Sequence, residues 1–237
     1  MTADEWHASP SLEQLLDACG LAEGDRRLRL FNAACARRVA AVMPDDGARG
    51  LVVLAERRAD GLLPDREWLR AVVETVDPYL GNEAARDGAG GATFGVLMHL
   101  HRTDPPSILR LAESVVEARA HKAYTGGYPT AVGLDEWMRR AVASESADLC
   151  HLFRCVCGNS FRRVALNPVW LTSTVRTLAD GIDAERAFDR LPILADALQD
   201  AGADSEDILD HCRRPGPHAH GCWVVDLLLD KKQRGIS

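Results

Sequence analysis

The chain has 237 residues, 28 lysines and arginines against 35 acidic residues, a formal charge of −7 and 46% hydrophobic residues. This composition excludes disordered and collagen-like classes, and the acidic balance argues against a protein that coats nucleic acid, because phosphate neutralisation needs a concentrated basic surface. No apolar run reaches the ~18 residues of a membrane span, and the first six residues are acidic rather than basic and apolar. The sequence therefore predicts a soluble, cytoplasmic protein that binds neither membranes nor nucleic acid.

Apolar residues at helical spacing, bounded by capping residues, proline and glycine, predict helices throughout the first third of the chain. The predicted segments are residues 9–20, 25–44, 48–59 and 64–78. The glycine-rich residues 87–91 predict a flexible connection. The short apolar segment 94–100 fits a strand and a buried helix equally well.

The second half of the chain shows the same kind of pattern. Helices are predicted over residues 107–124 and 134–156, with a break at residues 126–129 between them. Asn167 and Pro168 resemble the start of a helix that ends at Gly181. Further helical segments are 184–201, in which Pro192 implies a kink or two abutting helices, then 205–212 and 220–232, joined by residues 213–217.

These patterns predict an all-α fold, a multi-helix bundle of short helices, because no sustained alternation of apolar and polar residues is present. We treat residues 1–237 as a single domain. A division near residues 86–106, which would give the bundle two lobes, is left open.

Several segments resemble an uncharacterised family of bacterial proteins from large, high-GC genomes. They are the helix DRRLRLF with CARR at residues 25–38, and near the C-terminus AFDRLPILADAL (187–198), DHCR (210–213) and GCWVVDLLL (221–229). The chain departs from the pattern near Cys35, where further cysteines are expected, and at Cys157 and Ser160, where an aromatic residue and a proline are expected. The resemblance supports the boundaries of the fold and implies no activity.

The seven cysteines are odd in number, which together with a reducing compartment favours free thiols over a disulfide framework. Cys19 and Cys35 each lie on the apolar side of a predicted helix with no second ligand nearby in sequence. Both are interpreted as small core residues. The remaining five cysteines fall into two groups that also contain histidines.

The C-terminal group places His211, Cys212, His218 and Cys222 within twelve residues, with His220 among them. Thiolate and imidazole are the donors that zinc and other transition metals take in tetrahedral sites, often from a helix end, a turn and the start of the next helix. One interpretation is a metal site at these four residues, although the group has no CxxC pair and its spacing matches no standard zinc finger. The alternative is a Pro-Gly turn with Cys222 buried and the histidines solvated.

A second group contains Cys150, His151, Cys155 and Cys157 on a predicted helix. The two groups could combine into one four-ligand site, for example Cys155, Cys157, His211 and Cys222, or the thiols of the second group could simply face the core. A third hypothesis makes Cys222 a nucleophile with His218 as base, and Asp226 as the orienting group.

Charge is distributed unevenly along the chain. Arg26, Arg27, Arg29, Arg37 and Arg38 lie on one predicted helix, whereas residues 180–210 carry ten acidic residues against two arginines. These charges could pack against each other internally or recruit a charged protein partner. The two functional hypotheses are a helical binding or regulatory accessory protein with a protein partner, and a metal- or thiol-dependent hydrolase or transferase acting on an unknown small-molecule substrate.

Overall fold

The computed structural model describes residues 1–43, 45–80, 89–125, 134–162 and 164–231. Over these residues the chain forms α-helices and short 3-10 turns and no strand, which confirms the predicted all-α fold. No helix in this part of the chain is both long and apolar enough to cross a membrane. The helices are α1 (Ala3–Ala8), α2 (Leu12–Cys19), α3 (Arg26–Val39), α4 (Asp46–Ala59), α5 (Asp65–Val76), α6 (Ala89–Leu100), α7 (Pro105–Thr125), α8 (Leu134–Cys157), α9 (Ser173–Glu185), α10 (Leu191–Asp200), α11 (Glu206–Arg213) and α12 (Trp223–Leu228).

Side-chain caps explain where the N-terminal helices begin. Ser11 accepts a hydrogen bond from the backbone of Gln14 at the start of α2, and Asp25 accepts one from Arg27 at the start of α3. The sequence prediction missed α1, although Thr2 and Glu5 form a complete capping box there. This capping box was the sequence signal that could have located α1.

The glycine-rich segment is where the structure overturns an expectation. The predicted connection over residues 87–91 is wrong for its second half, because α6 already begins at Ala89, and residues 87 and 88 lie outside the described residues. Segment 94–100 is helical. A Cβ at Gly95 would come within 3.1 Å of the Ser114 Cβ, so this glycine lets α6 approach α7 closely. The predicted break at 126–129 also lies outside the described residues.

The helices after α8 also begin and end differently from the prediction. Asn167 caps only a 3-10 turn, Pro168–Trp170, and Thr172 caps α9, which passes through Gly181 and ends at Glu185. Segment 184–201 is two helices, with a left-handed residue at Arg186 between them (φ 56°). The abutting-helix alternative for Pro192 is therefore confirmed, and the proline lies in the first turn of α10.

The buried apolar residues form two main clusters. The N-terminal core contains residues of α1 to α8, and the C-terminal core runs from Cys155 at the end of α8 to Leu228 in α12. α8 contributes to both, since Phe153 packs in the first and Cys155 in the second. The end of α8 is therefore the place where the two cores meet.

Ion pairs also join the two cores. Arg26 of α3, which is almost completely buried, bonds Asp226 of α12 and Asp60 after α4. Glu56 of α4 accepts hydrogen bonds from Arg186, one of them at 2.7 Å. Buried ion pairs of this kind fix geometry more than they add stability, because desolvation offsets much of the attraction.

Most arginines of α3 form ion pairs with acidic residues of the same chain. Arg37 pairs with Glu56 and Arg38 with Glu145 and Asp148, in addition to the pairs of Arg26. Arg27 pairs with the capping Asp25. Most of the basic character that the sequence places on this helix is thus matched by acidic side chains of the same chain.

Candidate metal centre

Four soft donors converge where the two cores meet. Cys155 lies in the last turn of α8 and His211 on α11, whereas His218 belongs to the loop after α11 and Cys222 is the residue before α12. One donor atom from each residue lies within 4.8 Å of all the others, so these four residues could hold a metal ion. Both cysteines are buried, and both histidines are partly exposed.

Two of the donor pairs lie at separations close to those of a tetrahedral zinc site. The Sγ of Cys155 lies 3.4 Å from Nδ1 of His218, and the Sγ of Cys222 lies 3.2 Å from Nε2 of His211. Zinc bonds of about 2.3 Å to sulfur and about 2.0–2.1 Å to nitrogen imply donor separations of about 3.3–3.8 Å in a tetrahedron. The pairs therefore need only small adjustments to coordinate a zinc ion.

A hydrogen bond orients one imidazole for coordination. His218 Nε2 lies 3.4 Å from the carbonyl oxygen of Arg214, which can only accept a hydrogen bond, and its Nδ1 faces the sulfur of Cys155. Metal-binding histidines are commonly held in this way, by a carbonyl on the nitrogen that does not coordinate. The His211 ring lies edge-on to those of His218 and Trp223, at centroid distances of 5.0 and 5.3 Å.

The surroundings of the two thiols shift their pKa values in opposite directions. Burial acts to raise the pKa of Cys222, but hydrogen bonds from Cys155 and the two histidines, with the charge of His211, lower it well below its ordinary value. The pKa of Cys155 is raised well above its ordinary value, first by its hydrogen bond to Cys222 and then by burial. The groups around Cys222 thus favour its thiolate form, and a bound cation would favour the thiolate form of both cysteines.

Two glycines let the backbone reach this geometry. Gly221 has a φ of 84°, and a Cβ there would overlap the Leu30 side chain, so the residue before Cys222 lies directly against α3. Gly158 has a φ of 67° and would place a Cβ 3.3 Å from the Trp223 ring. Only glycine adopts such a backbone without strain, and both positions also lack space for a side chain.

His220 anchors the same loop on the opposite side. Its Nε2 lies 2.7 Å from Asp60, and its Nδ1 lies 3.3 Å from Asp183 of α9. Burial acts to lower the pKa of His220, yet the two carboxylates raise it to about 9. His220 is therefore an ion-pair partner that fixes the loop and does not join the cluster of donors.

The structure brings together three of the four residues that the C-terminal sequence group suggested. His211, His218 and Cys222 join Cys155, whereas Cys212 packs in the C-terminal core with Ile208, and burial, then Cys222, raises its pKa. The spacing of Ile208 and Cys212, four residues apart on one helix, was the signal that Cys212 faces the core.

The other cysteines of the second sequence group have separate surroundings. Cys150 and Cys157 are buried in the N-terminal core, and Cys150 donates to the carbonyl oxygen of Pro10 at 3.4 Å. His151 is exposed on α8. Asp226, the suggested orienting group for a nucleophilic Cys222, is bonded to Arg26 instead.

A cleft of about 830 Å³ lies beside the donors. Cys155, His211 and His218 form part of its wall, and Trp223 lines it next to them. Three of the four donor residues thus border the cleft, whereas Cys222 does not line it.

Comparison of the chain with family models, curated proteins and solved structures finds no match. The resemblance of residues 187–198 and 221–229 to a bacterial family stays an expectation from the sequence. The residues of the cluster and of the cleft are therefore the basis for the function proposed below.

Proposed function

We propose that this protein binds zinc through Cys155, His211, His218 and Cys222, and that the metal is structural within a helical binding protein. The observation that supports the proposal is the convergence of two thiols and two imidazoles within 4.8 Å. Two sulfur and two nitrogen donors in tetrahedral arrangement suit zinc better than the hard cations, which prefer oxygen.

The number of ligands favours a structural over a catalytic metal. Catalytic zinc sites keep one position open for water or substrate, whereas four protein ligands complete the coordination shell. The metal would then tie α8 to α11 and α12. The last two helices have only eight and six residues and would be marginal without tertiary support.

The proposal includes a role in binding, as a regulatory or accessory protein with a protein partner, in a reducing, cytoplasmic compartment. All seven cysteines are free thiols in this fold, which supports a reducing compartment. A closed metal site leaves the surface of the fold, rather than the metal, as the part that acts on other molecules.

Metal analysis of untagged protein, purified without chelator, tests the proposal. We expect about one zinc per chain in the wild type, and loss of metal in Cys155→Ser and in Cys222→Ser. Cys212→Ser is the matched control, since Cys212 is equally buried and adjacent to His211 but lies outside the group. No metal in the wild type, or full metal content in Cys155→Ser, would contradict the site.

The second candidate function is a metal- or thiol-dependent hydrolase or transferase. The observation in its favour is the cleft beside the donors, together with the low pKa of Cys222. Against it, Cys222 is completely buried, whereas reactive thiols are partly exposed. Rapid labelling of Cys222 by iodoacetamide at neutral pH in the folded, metal-free protein would favour this candidate, and protection until unfolding would exclude a thiol nucleophile.

A further inference from the structure

The cleft beside the donors has a basic end that the metal site does not use. This end is formed by Arg154 on α8 and by Arg214, the residue that follows α11. His7 of α1 and His151 of α8 line the same cleft. These four side chains come from three separate parts of the sequence, so the fold alone brings them together.

Neither arginine is neutralised by a carboxylate. Within the part of the chain that the structure describes, no acidic oxygen lies within ion-pair distance of Arg154 or Arg214, although most arginines of α3 have such partners. Asp207, an acidic residue on the cleft wall, is paired with Arg162 at 3.0 Å. Arg154 and Arg214 are therefore free of direct ion pairs among the described residues, although Glu206 and Asp210 also line the cleft.

Arg154 is held in place by neutral groups. Its Nε donates to the carbonyl oxygen of Trp6 at 2.8 Å, and its Nη2 donates to that of Ser9. These bonds fix the guanidinium and leave its Nη1 group without a hydrogen-bond partner among the described residues. Trp6 also lines the cleft, and its buried indole N–H has no partner there either. A buried N–H without a partner in the chain calls for one from outside it, such as a water or a ligand, and donors that are fixed in advance lower the cost of binding.

The charges are close enough to act on their neighbours. Burial and then the charges of Arg214 and Arg154 lower the pKa of His7. The pKa of Arg154 is also lowered, by burial in the first place, and the charge of Arg214 acts in the same direction. This end of the cleft thus disfavours further positive charge and would favour an anion.

We propose that the cleft binds a small molecule through an oxyanionic group, a phosphate or a carboxylate, held by Arg154 and Arg214. Arginine is suited to such groups because its planar fork donates two parallel hydrogen bonds to two oxygens. His7 and His151 supply further polar contacts at the rim. The inference goes beyond the zinc site and does not depend on whether a metal is bound.

Isothermal titration of the full chain with inorganic phosphate and with citrate, at constant ionic strength, tests this inference. We expect saturable binding of at least one probe at one site per chain. Arg214→Gln should weaken that binding by about tenfold or more, since hydrogen bonds to charged groups are lost. Arg214 is exposed, so the fold should survive, which circular dichroism verifies. The probe that binds more tightly identifies the class of oxyanion.

Arg57→Gln is the matched control, because Arg57 is an exposed arginine of α4 that does not line the cleft. It should bind both probes as the wild type does. Absence of saturable binding in the wild type, or equal affinity in Arg214→Gln and the wild type, would overturn the inference, as would equal weakening by both variants. Measuring metal content in the same samples separates this result from the zinc proposal, since either can fail while the other holds.

Discussion

The two cores hold the same residue type in different surroundings. Cys35 and Cys157 are buried among apolar side chains in the N-terminal core, and burial raises the pKa of both thiols. Cys222 is equally buried in the C-terminal core, yet its pKa is lowered because Cys155 and two histidines face it. Burial alone thus does not distinguish a core cysteine from a candidate ligand. The polar groups that face the sulfur distinguish the two.

The two regions also differ in how they are held together. The N-terminal core contains long helices, such as the 21 residues of α7 and the 24 of α8, which bury apolar faces against each other. The C-terminal core ends in helices of eight and six residues, joined by a loop that the donors and His220 fix. Removing the proposed zinc ion should therefore affect the second region far more than the first.

Chelation is expected to have the largest effect. Binding to structural zinc sites contributes about 10–16 kcal/mol in small peptides, and a domain with its own core should lose a fraction of that, on the order of 5 kcal/mol. Amide hydrogen exchange before and after a zinc chelator measures the change by region. Protection should fall in α11 and α12 and persist in α3 and α7. Equal loss of amide protection in all helices, or no loss in any, would contradict the expected difference between the two cores.

Gly221→Ala is expected to have the next largest effect, because the new Cβ meets Leu30 and the backbone has a positive φ. The free energy of unfolding should fall by about 2–4 kcal/mol, measured by urea denaturation. Gly181→Ala is the control: Gly181 lies inside α9, and a Cβ there meets no atom within 4 Å. That change should stabilise the protein by about 0.5–1 kcal/mol. Equal effects at the two positions would refute this account of the loop.

Acid should weaken the contact between the cores through Glu56. Burial acts to raise the pKa of Glu56, but hydrogen bonds from Arg37 and Arg186 lower it below its ordinary value of 4.5. A group whose pKa is lower in the folded protein stabilises the fold above its unfolded pKa, and this stability is lost as pH falls through the folded pKa.

Glu56→Gln should therefore cost about 1–2 kcal/mol at pH 7, a modest figure because both arginines are more than a third exposed to solvent. The difference between variant and wild type should shrink as pH falls below about 4.5. Urea denaturation over pH 3–7 measures it. A difference that stays constant over this range would exclude Glu56 as the group responsible.

Local signals in the sequence predict most of the fold. The apolar spacing of α2, α3 and α5, with the capping residues of α2 and α3 and the proline before α5, is sufficient to locate these helices along the chain. The same rules fail for α6 and for Gly181, since helical glycines are tolerated where tertiary contacts stabilise the helix. Propensity describes an isolated segment, and packing overrides it in these places.

The candidate site likewise has one part that local sequence spacing predicts and one part that only tertiary packing brings into place. His211, His218 and Cys222 are separated by at most eleven positions, so their spacing alone suggested a site. Cys155 lies 63 positions before His218, and only the packing of α8 against the C-terminal loop brings it there. Sequence spacing also could not separate Cys155 from Cys157, because both lie near the end of one helix and both are buried.

Cys157→Ala tests the distinction between Cys155 and Cys157 and should have the smallest effect on stability of the changes proposed here. The Cys157 thiol packs in the N-terminal core, so its removal should cost about 1 kcal/mol, as for other small deletions in cores. Metal content should remain that of the wild type. Cys155→Ala, two positions earlier, should abolish metal binding, because its sulfur is one of the four donors. Equal loss of metal in the two variants would contradict the assignment of Cys155, rather than Cys157, as the ligand.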